Sequence, residues 1–257
     1  MKRLQDKVTI ITGGSGGIGK ETARLFLDEG ALVVLVDIDQ GALDQAAAEL
    51  GGGDTLLTVA ADVSREEDVR HYVQSTLDHF GKPDVFFNNA GIEGRVAPLI
   101  EQSIADFDRV MAVNVRGVFL GMKYVLAEMM KARSGSIINM SSVAGLSGSP
   151  GVAPYVTSKH AVVGMTKSAA LEAAVAQVRV NSVHPSPINT RMMRSLEEGF
   201  DPGHAEQAKA MLEQKIPLGR YGESLDVASM VLFLASDESR FITGAQFRID
   251  GGMGAAM

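Results

Sequence analysis

Three groups of residues in this chain could do chemistry together. A glycine-rich segment, Thr12-Gly13-Gly14-Ser15-Gly16-Gly17-Ile18-Gly19, follows the apolar run Val8 to Ile11. Tyr155 and Lys159 lie four residues apart, and Ser142 precedes them. A residue pair at that spacing on a helix shares one face. A phenol titrates near 10, so it is a poor base at neutral pH unless a neighbouring cation favours the phenolate. Tyr155 beside Lys159 is therefore expected to act as a proton acceptor for an alcohol. A tyrosine and lysine so spaced also occur on ordinary exposed helices, so the pair gains meaning from its surroundings.

The glycine segment reads in two registers. Gly14, Gly16 and Gly19 fit G-x-G-x-x-G, and Gly13, Gly17 and Gly19 fit T-G-x-x-x-G-x-G. Either supplies a tight turn, close backbone approach to a pyrophosphate, and a helix N-terminus aimed at an anion. Asp37 stands eighteen residues beyond Gly19, at the end of the next apolar run. Its carboxylate can accept the ribose hydroxyls of adenosine, and it would repel a 2′-phosphate. Neither Gly16 nor Ile38 offers a cation for such a phosphate, so NAD is expected over NADP. A strand-end carboxylate that only meets solvent is the simpler alternative.

Apolar runs and amphipathic stretches alternate around these residues. Strands are expected at Val8–Thr12, Leu32–Asp37, Thr55–Ala60, Asp84–Asn88, Gly135–Met140, Arg179–His184 and Gln246–Ile249. Several are apolar without alternation, as in parallel sheets covered on both faces. Helices are expected at Gly17–Glu29, Gly41–Leu50, Arg65–Phe80, Ile104–Ala132, Pro154–Ala176 and Ser224–Ala235. The pattern predicts one α/β domain over 1–257: a Rossmann-like, doubly wound parallel sheet of about seven strands with helices on both faces. Ser64 with Glu67 reads as a capping box, Ser103 as an N-cap, and Ser224 as a further start signal. Gly30 and Gly81 sit where helices end.

Pro185 to Pro217 breaks the rhythm with four prolines, Glu197-Glu198-Gly199-Phe200 and a helix-like piece, His204–Lys215. It follows a strand's carboxyl end, so a substrate lid at about 186–217 is expected over a decorative excursion.

Composition narrows the classes. The chain has 257 residues, 46% hydrophobic and 21% charged, and no cysteine. Disulfides, thiolate zinc sites and a cysteine nucleophile are excluded. Net charge is −7 without a basic run, which argues against nucleic-acid binding. The apolar stretch in MKRLQDKVTIITGG runs at once into glycines and reads as a buried first strand. No segment is expected to reach the ~18 apolar residues of a membrane span. A cytoplasmic protein with no metal and no membrane partner is expected.

These motifs, with Asn88-Asn89-Ala90-Gly91, Asn114, Thr243-Gly244-Ala245 and Asp250-Gly251-Gly252, resemble the short-chain dehydrogenase/reductase family over essentially the whole chain. The resemblance favours the T-G-x-x-x-G-x-G register. It implies Tyr155 as general base in oxidation and acid in reduction, and Lys159 as the group that lowers its pKa and holds the nicotinamide ribose. Ser142 would hydrogen-bond the substrate oxygen, with Ser141 as the neighbouring alternative. Asn114 would hold a water linking Lys159 to solvent; its simpler reading is a helix kink.

The resemblance also implies a cofactor site of Gly13, Ser15, Gly17, Ile18, Gly19, Asp37, Ile38, Asp62, Val63, Asn89, Ala90, Gly91, Tyr155, Lys159, Pro185, Ile188 and Thr190. Asp62 would meet the adenine amine, or else serve as a loop residue before a helix. Pro185-Ser186-Pro187 departs from the family's Pro-Gly, and Ser186 would stiffen or crowd that loop. His184 reads as structural.

Substrate contacts are expected from Glu93, Ser142, Tyr155 and Met192, in a pocket also lined by Ile92, Gly94, Leu146, Val152 and Met193. Glu93 either binds a polar substrate group or points to water, and the methionines either line the pocket or pack the lid. The implied function is NAD-dependent interconversion of a largely apolar secondary alcohol and ketone by a homotetramer paired through Ile104–Ala132 and Pro154–Ala176. The alternatives are a 3-oxoacyl-thioester (acyl-carrier-protein) reductase and a non-catalytic nucleotide-binding regulator.

Overall fold

The computed structural model describes residues 2–255. Among them, seven strands form one parallel sheet: β1 (Val8–Thr12), β2 (Leu32–Asp37), β3 (Leu56–Ala60), β4 (Val85–Asn88), β5 (Gly135–Met140), β6 (Val178–Pro185) and β7 (Gln246–Ile249). The order is β3-β2-β1-β4-β5-β6-β7. It reverses direction between β1 and β4, which opens a crevice at their carboxyl ends.

Each sheet face is sealed by helices. Ile10, Val34, Phe86 and Ile137 point into a layer covered by α3 (Glu66–His79), α5 (Val118–Ala132) and α6 (Ala153–Ala173). Ile11, Leu35, Phe87 and Ile138 point the other way, under α1 (Gly17–Asp28), α2 (Gln40–Leu50) and α9 (Ser224–Ala235). Adjacent strand residues face opposite layers, which is why these strands read as continuous apolar runs. Each fully buried leucine, isoleucine or phenylalanine contributes about 2 kcal/mol relative to exposure.

The expected helix Ile104–Ala132 is continuous but not uniform. It comprises α4 (Ile104–Met111), a π-helical turn over Ala112–Gly117 and α5. Asn114 lies in that turn, so the anticipated kink is a widened turn instead. The whole stretch, with a mean hydropathy of 1.4 in its most apolar window, is long and apolar enough to cross a membrane. The expectation that no segment would qualify is thus corrected. The helix is instead built into the protein: Val118, Leu120, Val125 and Met129 pack on the sheet.

Helix starts were partly misread. Ser103 caps α4 as expected, accepting from Asp106 N at 3.1 Å. Ser64 does not cap α3; its hydroxyl donates to Asp62 Oδ1 at 2.7 Å, and Arg65 occupies the cap position without a side-chain bond. Ser224 is already inside α9, where Glu223 and Asp226 form a reciprocal capping box. A carboxylate at the cap accepts from the helix N–H groups as a hydroxyl does, and it also suits the dipole. Gly30 and Gly81 adopt φ of +84° and +89°, as expected past helix ends.

Segment 186–217 folds into two helices, α7 (Arg191–Phe200) and α8 (Ala205–Glu213). Sequence reading anticipated only the second. Both rest on a small apolar cluster of Met193, Ile216 and Tyr221, with Leu196, Leu212 and Met253 against it. The capping assignment has a direct check. Glu223→Ala should lower the free energy of unfolding in urea by about 1 kcal/mol, whereas Ser224→Ala should stay within about 0.5 kcal/mol of the parent.

Candidate active site

The glycine segment leaves β1 at the crevice. Gly13 has φ +64°, and a Cβ there would stand 2.9 Å from Asn89 Nδ2. A Cβ at Gly19 would lie 2.2 Å from the Gly13 carbonyl oxygen, whereas one at Gly16 would meet nothing closer than 3.5 Å. Gly13 and Gly19 are therefore sterically required, and so is Gly14, whose Cβ would stand 2.7 Å from Leu35 Cδ2, which leaves Gly16 as the position of the G-x-G-x-x-G register with room for a side chain. The turn is stitched to β4: Thr12 Oγ1 accepts from Asn89 N and Ala90 N at 3.0 and 3.1 Å, and Asn89 Nδ2 donates to Thr12 O at 2.9 Å. A Cβ on Gly17 would come within 3.4 Å of Thr190. The loop after β6 thus reaches the glycine segment, as one ligand spanning both would need. The cradle that side chains cannot enter, ending in the N-terminus of α1, fits a dinucleotide pyrophosphate.

Asp37 ends β2 beside this turn. Its Oδ2 accepts from Ser15 N at 3.1 Å and Ser15 Oγ at 2.5 Å, and Oδ1 accepts from Ile38 N at 2.8 Å. Oδ1 keeps a free lone pair, while Oδ2 is filled by Ser15. Acceptance of both ribose hydroxyls therefore needs the Ser15 hydroxyl to turn away. Ile38 is 69% exposed beside it. Asp62 Oδ1 accepts from Ser64 N and Oγ at 2.9 and 2.7 Å, so it does organise the turn before α3. Val63 is buried against Gly117.

The second centre forms where β5 meets α6. Lys159 is 2% exposed, and its Nζ donates to Met140 O at 3.0 Å. The ammonium lies 5.4 Å from the Tyr155 ring centre. Burial pulls Lys159 down to about 8. Burial also pushes the Tyr155 phenol up to about 12; hydrogen bonding from Ser142 opposes this, and the Glu93 carboxylate adds to it. The expected downward pull of Lys159 on the phenol is thus outweighed by desolvation. The half-buried phenol is a protonated acid at neutral pH.

The two serines separate cleanly. Ser141 Oγ donates to Lys159 O at 3.0 Å and is buried in the join between β5 and α6. Ser142 Oγ accepts from Ala144 N at 3.1 Å and donates only a long bond, 3.5 Å, to Pro185 O, so its proton can turn to a partner on the Tyr155 side. Asn114 is fully buried. It clips the Ile92 backbone, accepting from Ile92 N and donating to Ile92 O at 2.8 Å each, and also donates to Ser158 Oγ at 3.0 Å. Both amide hydrogens are spent on protein, so the expected water has no free amide donor. Ile92 and Ser158 carry no motif signal and were not anticipated in this role. Gly91 lies beside both Asn114 Oδ1 and Lys159 Nζ.

Beyond β6, Ser186 N donates to Ile249 O at 3.1 Å. Its φ is not positive; among the described residues only Asp6, Arg133 and Gln177 combine a side chain with positive φ. Serine therefore costs no backbone strain where the family usually has glycine. Pro185 is buried at the end of β6, Ile188 is buried beside Gly222, and Thr190 Oγ1 donates to Ile188 O at 3.2 Å. Glu93 and Met192 are half-buried, and Met193 packs with Ile216 and Tyr221 under segment 186–217. Among the described residues no cluster of three His, Asp or Glu could hold a metal ion.

Comparison with known proteins follows this geometry. A family model described as enoyl-(acyl carrier protein) reductase matches residues 13–254. Levodione reductase of Leifsonia aquatica is 39% identical over 99% of this chain and 96% of its own. The chain belongs to the short-chain dehydrogenase/reductase family. Its crystallographic relatives agree: levodione reductase superposes with a TM-score of 0.97 over 99% of this chain and all of that one. NAD+-bound xylitol dehydrogenase gives 0.92 at 34% identity over 98% of this chain and all of that one. A 3-oxoacyl-[acyl-carrier-protein] reductase of Thermotoga maritima is 41% identical over 98% of this chain and 99% of its own. Cyclohexanol dehydrogenase of an Acinetobacter strain is 39% identical over 97% and 95%. Family membership makes this chain an oxidoreductase, and the two bonded clusters above are where the family motifs fall.

Two outcomes follow from the geometry. Gly19→Ala must displace the Gly13 carbonyl, so NADH affinity measured by fluorescence should fall at least tenfold while the fold survives. Lys159→Met reads the burial of the ammonium. Below pH 8 the native state holds Lys159 charged at a cost; between about 8 and its ordinary 10.5 the unfolded chain binds the proton and the native state does not. Wild-type stability therefore gains on Lys159→Met as pH rises through that window. Denaturation at pH 7 and pH 10 checks this, and an equal gap at both would reject it.

Proposed function

We propose that this protein is an NAD-dependent oxidoreductase interconverting a secondary alcohol and a ketone, with Tyr155 as general acid and base. The observation that carries the reading is the convergence of Ser142, Tyr155 and Lys159 on the same rim of the sheet as the Gly13–Gly19 turn. NAD, when bound, takes up or returns the hydride at the carbinol carbon. The glycine turn and the α1 N-terminus hold its pyrophosphate, and Asp37 holds the adenosine ribose and repels a 2′-phosphate. The NAD+ in the xylitol dehydrogenase neighbour supports the same choice.

In reduction, Tyr155 Oη donates its proton to the carbonyl oxygen as the alkoxide develops, and Ser142 Oγ donates a hydrogen bond to that oxygen. In oxidation the phenolate takes the hydroxyl proton. Burial raises the phenol, so the protonated form dominates at neutral pH and reduction starts from the acid already in place. Oxidation needs positive charge near the phenol beyond what Lys159 already supplies, and the oxidised nicotinamide ring would bring it when NAD+ is bound. The lid segment 186–217 covers the substrate, with Met192 and Glu93 on the pocket wall.

The substrate is a compact, largely apolar alcohol or ketone, as the levodione and cyclohexanol relatives suggest. The Thermotoga relative keeps a 3-oxoacyl thioester as the second reading. A non-catalytic nucleotide sensor would have no use for the buried lysine beside a phenol. The enzyme works in the cytoplasm, drawing on its nucleotide pool. It assembles as a homotetramer through α4, α5 and α6. There Phe119 is 51% exposed, and Met111, Ala112, Val115 and Met165 line an apolar groove of about 490 Å³.

A panel of secondary alcohols, ketones and a 3-oxoacyl thioester, followed by NADH absorbance, decides between the readings. Tyr155→Phe should lower kcat by about 10²- to 10⁴-fold with NADH affinity intact. Turnover that survives the substitution would sink the mechanism, and equal efficiency with NADP would sink the role of Asp37.

A further inference from the structure

His184 ends its strand fully buried, with both ring nitrogens engaged. Nδ1 stands 2.9 Å from the Ser142 carbonyl oxygen, and Nε2 stands 2.8 Å from Ser182 Oγ. A carbonyl can only accept, so Nδ1 carries the proton, and the Ser182 hydroxyl must donate to Nε2. The carbonyl thus excludes the other tautomer, and the Ser182 bond holds the ring in place. Burial pushes His184 down to about 4; the bond to Ser142 opposes this, and the charges of Lys159 and Arg248 add to it. The ring is therefore a neutral, singly oriented donor across the working pH range.

What it grips matters more than its burial. The Ser142 carbonyl has two lone pairs, and Gly145 N takes the other at 2.8 Å. Together they fix the peptide that opens the turn Val143–Gly145. The two preceding residues are held from α6: Met140 O by Lys159 Nζ, and Ser141 Oγ on Lys159 O. Gly145 packs so tightly against α6 that a Cβ would lie 2.7 Å from Lys159 O. β6 also holds Ser141, whose N donates to Val183 O at 2.9 Å, but at Ser142 the grip comes from a side chain, the His184 imidazole on the carbonyl, while the Ser142 hydroxyl has only a long 3.5 Å contact to Pro185 O for its proton.

We propose that His184 is a positioning residue: held by Ser182, it fixes the Ser142 backbone so that the Ser142 hydroxyl meets the substrate oxygen beside Tyr155. The proposal rests on the reading that Ser142 binds that oxygen. A misplacement of about 1 Å at a catalytic group can cost on the order of 10²-fold.

The test is a double-substitution cycle of His184→Phe and Ser142→Ala in the full-length enzyme. It reads kcat and KM for the fastest alcohol of the panel, with NADH affinity by fluorescence alongside. His184→Phe should lower kcat roughly 10- to 100-fold and leave NADH affinity unchanged. In the Ser142→Ala background the same change should cost less than about twofold, because residues acting through one another are not additive. His184→Gln, whose amide can donate to Ser142 O and accept from Ser182, should recover most of the lost kcat.

Equal losses in both backgrounds would overturn the proposal, as would a Gln variant no better than Phe. Should His184→Phe fail to fold, Ser182→Ala carries the same cycle, since it removes only the hydroxyl that holds Nε2. Unchanged turnover in Ser142→Ala alone rejects the reading of Ser142, which is a separate failure.

Discussion

A buried ammonium organises this molecule's candidate site. Lys159 is withdrawn from water and rests on the Met140 carbonyl at the end of β5. An unpaired charge in such a place would be very costly, so its surroundings must be built to receive it. They are. The Lys159 carbonyl takes Ser141 Oγ, neighbouring Ser158 takes a hydrogen bond from Asn114, and Asn114 in turn clips Ile92 beyond β4. The Lys159 side chain ties α6 to β5, and Ser158 beside it ties α6 through Asn114 to the π turn and the loop after β4. Tyr155 stands one helical turn away on the same α6. Its position is inherited from the lysine's.

The parallel sheet makes such convergence possible. Every strand delivers its carboxyl end to one rim, so loops far apart in sequence meet there. Thr12 from β1 bonds Asn89 and Ala90 beyond β4, and Gly17 meets Thr190 beyond β6. Glycine is needed only where backbones come closest. Gly13 and Gly19 nearly touch, while Gly16 has room to spare. Of the G-x-G-x-x-G positions only Gly16 would accept a side chain in the folded turn.

Long-period patterns were legible in the sequence, and local hydrogen-bond choices were not. Strand-helix alternation, Asp37 at a strand end, and the Tyr155 to Lys159 spacing all follow from periodicity and residue type. The errors came where several residues could do one job. Ser64 and Arg65 before α3, and Glu223 and Ser224 before α9, stand next to each other, and which one takes the cap position depends on where the chain arrives from, which only tertiary packing decides. Helix α7 went unread because Arg191 to Phe200 mixes methionine with charge and follows prolines; its apolar side exists only once Ile216 and Tyr221 lie beneath it. The bonds of His184 and Asn114 are invisible for the same reason, since their partners are backbone atoms that no residue code reports.

The sign of the Tyr155 shift carries the last step. Spacing alone suggested a lysine that lowers the phenol's pKa. In the folded chain, desolvation acts on both groups and drives them toward their neutral forms, the phenol upward and the ammonium downward. The two shifts share one cause, a dry wall where β5 meets α6, and they oppose the Coulombic attraction that the spacing implied. Such a site is poised as a proton donor. It becomes a proton acceptor only when positive charge enters the same dry space and tips the balance. The glycine turn, with its helix N-terminus and its contact to Thr190, shapes the crevice through which such a ligand would extend toward Tyr155. On this view burial does more than stabilise the fold. It makes the state of the phenol depend on what fills the crevice.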